Sequence, residues 1–228
     1  VTQLALRDAR GASIKARHSS KTSEHYSPSL IVEPARATLG GIDLDPASCL
    51  LANTVVRATR IYTEADNGLE LPWDGCVFTN PPGGKEGNES VQATWWFHLA
   101  MQWMSGNVAA AVFVGFSLEV LQVTQCDRPR GLPVPAELPH CIPSSRVKYL
   151  KNFHGALVEG KSPPHASVLV YLPPRASAEA WSVGVARFVE NFGPLGALCG
   201  ALGGEIWCPK SETPAGGAAG VSGAEVTR

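Results

Sequence analysis

The chain has 228 residues, 44% of them hydrophobic and 17% charged, with a formal net charge of -1 from 19 basic and 20 acidic side chains. That length suits one domain with at most a small appendage, and the apolar share excludes a wholly disordered chain. The charge balance excludes a globally basic nucleic-acid binder and leaves room only for a local basic face, while no apolar run approaches the roughly 20 residues of a membrane span.

Residues 1–22 are rich in Ser, Lys and Arg without apolar periodicity, which predicts a mobile arm. They lack the charged-then-apolar order of a signal peptide, so the cytoplasm is the expected compartment. Ser27-Pro28 opens a helix toward Leu39, stopped by Gly40-Gly41, and Pro34 is expected to kink or restart it. Ile42-Asp43-Leu44 predicts a very short strand, with Asp45-Pro46 as N-cap and first residue of the next helix. Arg60-Ile61-Tyr62 and Cys76–Thr79 predict two more strands, the second ending at Asn80-Pro81-Pro82-Gly83-Gly84. Helical spacing runs from Glu89 to Ser105, and the apolar run Val108 to Gly115 suits a buried parallel strand. Ser117 caps a short helix through Leu121. The proline-dense stretch 125–143 predicts a long loop of the kind that often carries function. Strands at Arg146–Leu150 and Ser167–Leu172, a helix from Ser177 to Phe192 and a Gly-rich piece ending at Glu205-Ile206-Trp207 complete a domain over 23–208. The tail 209–228 has no apolar face and predicts disorder.

Alternating β and α patterns followed by closely spaced strands predict an α/β fold: a three-layered, mostly parallel sheet with antiparallel pairing late in the chain. The six cysteines (Cys49, Cys76, Cys126, Cys141, Cys199, Cys208) form no CxxC pair, which predicts thiols and not a disulfide framework. A zinc site on Cys126, His140 and Cys141 lacks the paired spacing of such sites, and no metal is expected.

In an open α/β sheet, ligands bind beyond the carboxyl ends of the strands, near the switch in strand order. Two polar motifs fall there. Prolines after a strand end its ladder and stiffen the turn, so Asn80-Pro81-Pro82 fixes the direction of the Asn80 side chain and the Pro81 carbonyl. Two converging acceptors suit an NH₂ group. Hydrogen bonds accepted from both its hydrogens favour a pyramidal nitrogen with a free lone pair, each contact contributing about 2–4 kcal/mol at the transition state. The same tripeptide is also an ordinary turn. In the second motif, IDLDPAS (42–48), a carboxylate can meet ribose hydroxyls or an ammonium, or simply cap a helix. Asp66-Asn67-Gly68 adds a third carboxylate in a turn. No GxGxxG and no Walker motif accompanies them.

The ordered set His25-Tyr26-Ser27-Pro28, IDLDPAS (42–48) with Asn53 shortly after, YTEADNGL (62–69), Trp73 and FTNPPGG (78–84) resembles the phage-type, Dam-like DNA N6-adenine methyltransferases. The resemblance covers about residues 24–172, through Pro143–Val147 and the Ser162–His165 segment leading into Val168–Tyr171. It implies a Rossmann-like, S-adenosylmethionine-dependent methyltransferase fold and a DNA substrate. By the same resemblance, Tyr26, Ser27, Pro28, Asp43, Asp45 and Asp66 hold the cofactor, Asp66 at its adenine amino group, and Asn80, Pro81 and Pro82 clamp the target adenine. The chain departs from the family at Gly83, where an aromatic side chain that stacks on the extruded base is expected, and it lacks the usual glycine-rich loop after Asp45. Trp95 and Trp96 are candidates for the missing ring, although their helical spacing with Val91, Leu99 and Trp103 also suits a core. Lys85 could meet a phosphate or lie in solvent. Arg128, Arg130, Arg146, Lys148 and Lys151, interleaved with Tyr149 and Phe153, could line a DNA backbone groove, and 125–143 is the expected target-recognition loop. The Asn-Pro corner serves any planar amide or amine, so RNA or a protein glutamine are alternative substrates. Gly83 leaves a non-catalytic cofactor- or DNA-binding module as a further alternative.

Overall fold

Apolar spacing builds the first helix: α1 (Ser29–Leu39) buries Ile31, Val32, Ala35, Thr38 and Leu39 along one stripe and stops at Gly40, whose N–H still reaches the Arg36 carbonyl and whose φ of 77° turns the chain out of the helix. The computed structural model describes residues 25–126, 129, 131–161 and 164–203. The predicted arm, the tail, Arg128, Arg130 and the Glu205-Ile206-Trp207 piece lie outside them. In chain order α1 is followed by β1 (Leu44–Asp45), α2 (Leu50–Val56), β2 (Arg60–Ile61) and β3 (Gly75–Thr79). A hairpin of β4 (Lys85–Glu86) and β5 (Glu89–Ser90) leads into α3 (Val91–Met104), and then come β6 (Val108–Gly115) and α4 (Glu119–Cys126). A single 3₁₀ turn at Pro135–Glu137 precedes β7 (His140–Pro143), the hairpin β8 (Leu150–Phe153) and β9 (Ala156–Glu159), β10 (Val168–Leu172) and α5 (Ala178–Phe192). A second 3₁₀ turn, Gly193–Leu195, leads to β11 (Gly196–Cys199).

Seven strands form one sheet in the order β11-β7-β10-β6-β3-β1-β2. The pairs β2/β1, β1/β3 and β3/β6 are parallel, and β6/β10, β10/β7 and β7/β11 are antiparallel. Five strands therefore point one way, with β10 and β11 opposed, which matches the expected mostly parallel α/β sheet with late antiparallel strands. From β1 the chain moves outward to β2, then returns past β1 to β3 and on to β6. The switch in strand order falls between β1 and β3.

Each sheet face has its own core. Val77, Ala111 and Phe113 pack with Trp95, Trp96, Leu99 and Trp103 of α3. Phe78, Val112 and Tyr171 pack on the other face with Ile31 and Ala35 of α1 and Phe188 and Phe192 of α5. The α3 helix is buried nearly all round, as an element covered on every side must be.

Several expectations are corrected. Pro34 does not restart α1, which runs through it as one helix; the residue whose carbonyl loses its partner to Pro34 is Leu30, on the exposed side of the helix. Asp45-Pro46 does not open a helix. The helix begins at Leu50, where the Cys49 sulfur accepts from the Ala52 N–H at 3.4 Å. The stretch 125–143 is not one loop, since α4 extends to Cys126 and His140–Pro143 is a central strand. Arg146–Leu150 is no strand of the main sheet, because only Leu150 enters the separate β8/β9 hairpin.

Candidate functional site

The site is built where β1 and β3 end. Leu44 of β1 lies in register with Val77 of β3, and Thr79 with Phe113 of β6. Side chains alternate along a strand. Phe78 lies on the α1 side, so Asp45 and Asn80 share that side, as does Phe116 beyond Val112 and Val114. One face of one sheet edge, at the switch in strand order, thus carries Asp45, Asn80 and Phe116.

Asn80 follows β3 directly and is half-buried. Its amide nitrogen donates to the His25 carbonyl at 3.0 Å. That bond fixes the side-chain plane and turns Oδ1 away from it as an acceptor. Pro81 is buried and Pro82 half-buried, so the corner is anchored while Gly83, Gly84 and Lys85 are exposed. Lys85 sits in β4, paired across the hairpin with Ser90.

The segment before α1 is tied to the same corner. Tyr26 and Leu150 exchange both backbone hydrogen bonds at 2.8 Å, which lays the chain alongside β8. Ser27 is 4% exposed and its hydroxyl has no hydrogen-bond partner. The Pro28 carbonyl accepts from the Ile31 and Val32 N–H groups at the start of α1. The sequence separation of more than 50 residues between His25 and Asn80 is closed by these bonds.

The three acidic candidates part company. Asp43 lies at the opposite end of the strands, where its carboxylate accepts from the Cys76 N–H at 2.7 Å beneath Gly75. A side chain on Gly75 would strike it, and the geometry assigns Asp43 to holding β1 against β3. Asp66 is exposed and accepts from both the backbone N–H and the hydroxyl of Thr63, at 2.8 and 2.7 Å. Those bonds hold its carboxyl below the ordinary value. Asp45 alone of the three is buried at the switch, 3% exposed. Burial pushes its carboxyl from 3.8 up to about 7, only partly opposed by the Ser48 hydroxyl and by the Ala47 N–H at 3.2 Å.

Trp95 and Trp96 are not available as stacking rings. They are 1% and 0% exposed. Trp95 faces Trp73 with ring centroids 5.8 Å apart and presses on Gly68, and the Trp96 ring nitrogen donates to the Pro133 carbonyl at 2.9 Å. Both belong to the core under α3. Arg146 and Lys148 alternate outward with buried Val147 and Tyr149, and Lys148 is paired with Glu159 at 2.7 Å. Arg128 and Arg130 lie outside the described residues.

Beside the corner the structure gathers aromatic rings that motif spacing does not single out. Phe116, one residue past the long apolar run, is half-buried, with its ring 5.9 Å from His25, 6.3 Å from Tyr149 and 5.3 Å from His165. Tyr149 is buried, and its hydroxyl meets that of Ser167 at 2.8 Å. The signal for Phe116 was its position at a strand end, the same rule that singled out Asn80.

A cleft of about 230 Å³ opens at the other edge of the sheet, lined by Thr38, Cys76, Ala109, Tyr171, Gly184 and Arg187. It lies at the amino ends of β3 and β6, away from Asn80 and Asp45. Among the described residues, no group of three or more His, Cys, Asp or Glu side chains could hold a metal ion, and no helix is long and apolar enough to cross a membrane. No protein-family model, curated protein or solved structure matches the chain.

Proposed function

We propose that the chain is a DNA methyltransferase that transfers a methyl group from S-adenosylmethionine to N6 of adenine. The observation that carries this reading is the Asn80 corner: a half-buried carboxamide at the switch in strand order, its NH₂ donating to the His25 carbonyl and its oxygen therefore on the side away from that bond. Such an oxygen, acting with the Pro81 carbonyl of the same turn, would accept hydrogen bonds from an amino group and concentrate the lone pair on nitrogen for attack. Asn80 is half-buried, so an adenine in a duplex must leave the stack to reach it.

The residues around the corner suit the cofactor. Ser27 offers a buried hydroxyl without a partner, and Asp45 a buried carboxyl that a cationic ligand would ionise. S-adenosylmethionine, when bound, supplies a methyl group on a positively charged sulfur. The chain's part is alignment: Ser27 and Asp45 orient, and Asn80 and Pro81 hold the acceptor nitrogen on line. With Asp43 committed to the Cys76 N–H at the other end of the strands, the acidic share of this work falls to Asp45 and to Asp66, whose bonds to Thr63 use Oδ2 alone.

The test uses labelled S-adenosylmethionine and unmethylated DNA. Label is expected in N6-methyladenine, and Asn80→Ala is expected to lower transfer at least about a hundred-fold, the loss of one such contact, while cofactor binding by calorimetry persists. Label found only in cytosine, RNA or a protein glutamine would reject the substrate, and cofactor binding with no transfer to any acceptor would leave a binding module.

A further inference from the structure

We infer that Phe116 supplies the aromatic wall against which the acceptor ring stacks, standing in from the end of β6 for the side chain that Gly83 lacks. The inference rests on the methyl-transfer reading of the Asn80 corner and adds to it the residue that holds the acceptor ring, which favours a planar aromatic amine over an aliphatic amide such as glutamine.

Gly83 is three residues past Asn80 and exposed, and its φ lies outside the left-handed region, so the backbone does not require glycine there. A Cβ at Gly83 would meet one atom in ordinary contact, Cδ1 of Phe116 at 3.8 Å. The Phe116 ring therefore borders the space into which a side chain at 83 would project. With glycine at 83 nothing from that position covers this side of the ring.

The ring is held in place by the fold. Gly115 sits where a side chain would strike Val168 and Val120, at 2.7 and 2.8 Å, so β6 can close against β10 and α4 on that face. The next residue, Phe116, is thereby sent to the opposite face, the one shared by Asn80. Tyr149, buried and bonded to Ser167, lies 6.3 Å behind it, and His165 meets it in a T-shaped contact at 5.3 Å. His25 binds Asn80 through its carbonyl and packs its ring 5.9 Å from Phe116. One residue thus couples the amide clamp to the aromatic wall. A wall of this kind holds a purine by stacking, and Asn80 then meets the exocyclic amine at the rim.

The test compares wild type, Phe116→Ala, Phe116→Leu, Phe116→Trp and the double variant Phe116→Ala/Gly83→Tyr on unmethylated plasmid DNA, with thermal unfolding of each as the control for packing. Phe116→Ala is expected to lower kcat/KM by about ten- to a hundred-fold, the scale of one base–aromatic contact. Phe116→Leu, which keeps apolar volume without a ring, should stay low, whereas Phe116→Trp and the double variant should recover. Full activity in the alanine variant, or recovery by leucine alone, overturns the wall and leaves the Asn80 clamp standing. Absence of transfer to adenine by the wild type, or transfer to a glutamine peptide instead, overturns the parent reading and the wall with it.

Discussion

Under the proposed function, Asp45 is the carboxyl at which folding and ligand binding are coupled. Its folded-state value of about 7 lies above the ordinary 3.8 because burial penalises the charge. The fold therefore keeps the proton. The stabilisation this gives is complete below 3.8 and is lost as pH rises through about 7. A ligand bringing positive charge to Asp45 reverses the preference and releases the proton on binding. Under the proposed function, affinity for S-adenosylmethionine should strengthen as pH rises from 6 to 8. Asp45→Asn should bind more weakly and lose that dependence. Calorimetry in two buffers of different ionisation enthalpy checks both points. An affinity that ignores pH in the wild type would remove Asp45 from the binding site.

At the scale of elements, the α1/α5 layer depends on one close approach. A Cβ at Gly184 would lie 2.6 Å from the Tyr171 hydroxyl and 2.7 Å from a Pro174 ring carbon. Tyr171 stacks on Phe188 of the same helix, with centroids 5.3 Å apart and planes 7° from parallel. Gly184→Val should force α5 off the sheet and cost about 1–3 kcal/mol, the usual scale of overpacking, seen as a lower urea midpoint with an unchanged slope. A midpoint within error of wild type would mean that the helix yields freely.

The same layer shows what the sequence discloses and where it falls silent. The run Val108 to Gly115 discloses β6, and Ser177 discloses the start of α5, because apolar continuity and a capping hydroxyl are local signals. Asp45-Pro46 imitates a helix start, yet the carboxylate bonds two residues on, to Ala47, and the helix waits for Cys49. The strand His140–Pro143 has little local signature; its ladder comes from β10 and β11, more than 25 residues away. The His154-Gly155 turn of the β8/β9 hairpin has positive φ at both residues, 51° and 84°, as a type I′ turn requires, but the sequence signal was histidine where asparagine is usual. In the site, strand-end position marked Asn80 and Asp45. Sequence alone could not show that Asp43 would be spent on Cys76 and Trp95 on the core, since both depend on contacts across the sheet.

Over the whole molecule, two buried groups on opposite faces of the sheet set opposing responses to pH. His98 of α3 is 5% exposed, its two ring nitrogens have no hydrogen-bond partner, and Trp73 lies 4.7 Å from it centroid to centroid. Burial pulls its value from 6.5 down to about 4, so the fold keeps it neutral. The stability this carries is complete above 6.5 and is lost as pH falls toward 4. Asp45 loses its contribution in the other direction across nearly the same window, so the two slopes offset each other in the wild type. Single substitutions should expose them. Asp45→Asn leaves a protein that weakens as pH falls from 6.5 to 4. His98→Phe, which also removes two unpartnered polar atoms, leaves one that weakens as pH rises from 4 to 7 and is at least as stable as wild type at pH 4. The double variant should lose both of these slopes. Urea unfolding at pH 4, 5, 6 and 7 measures all four curves, and parallel curves for the two single variants would mean that neither group keeps its burial in solution.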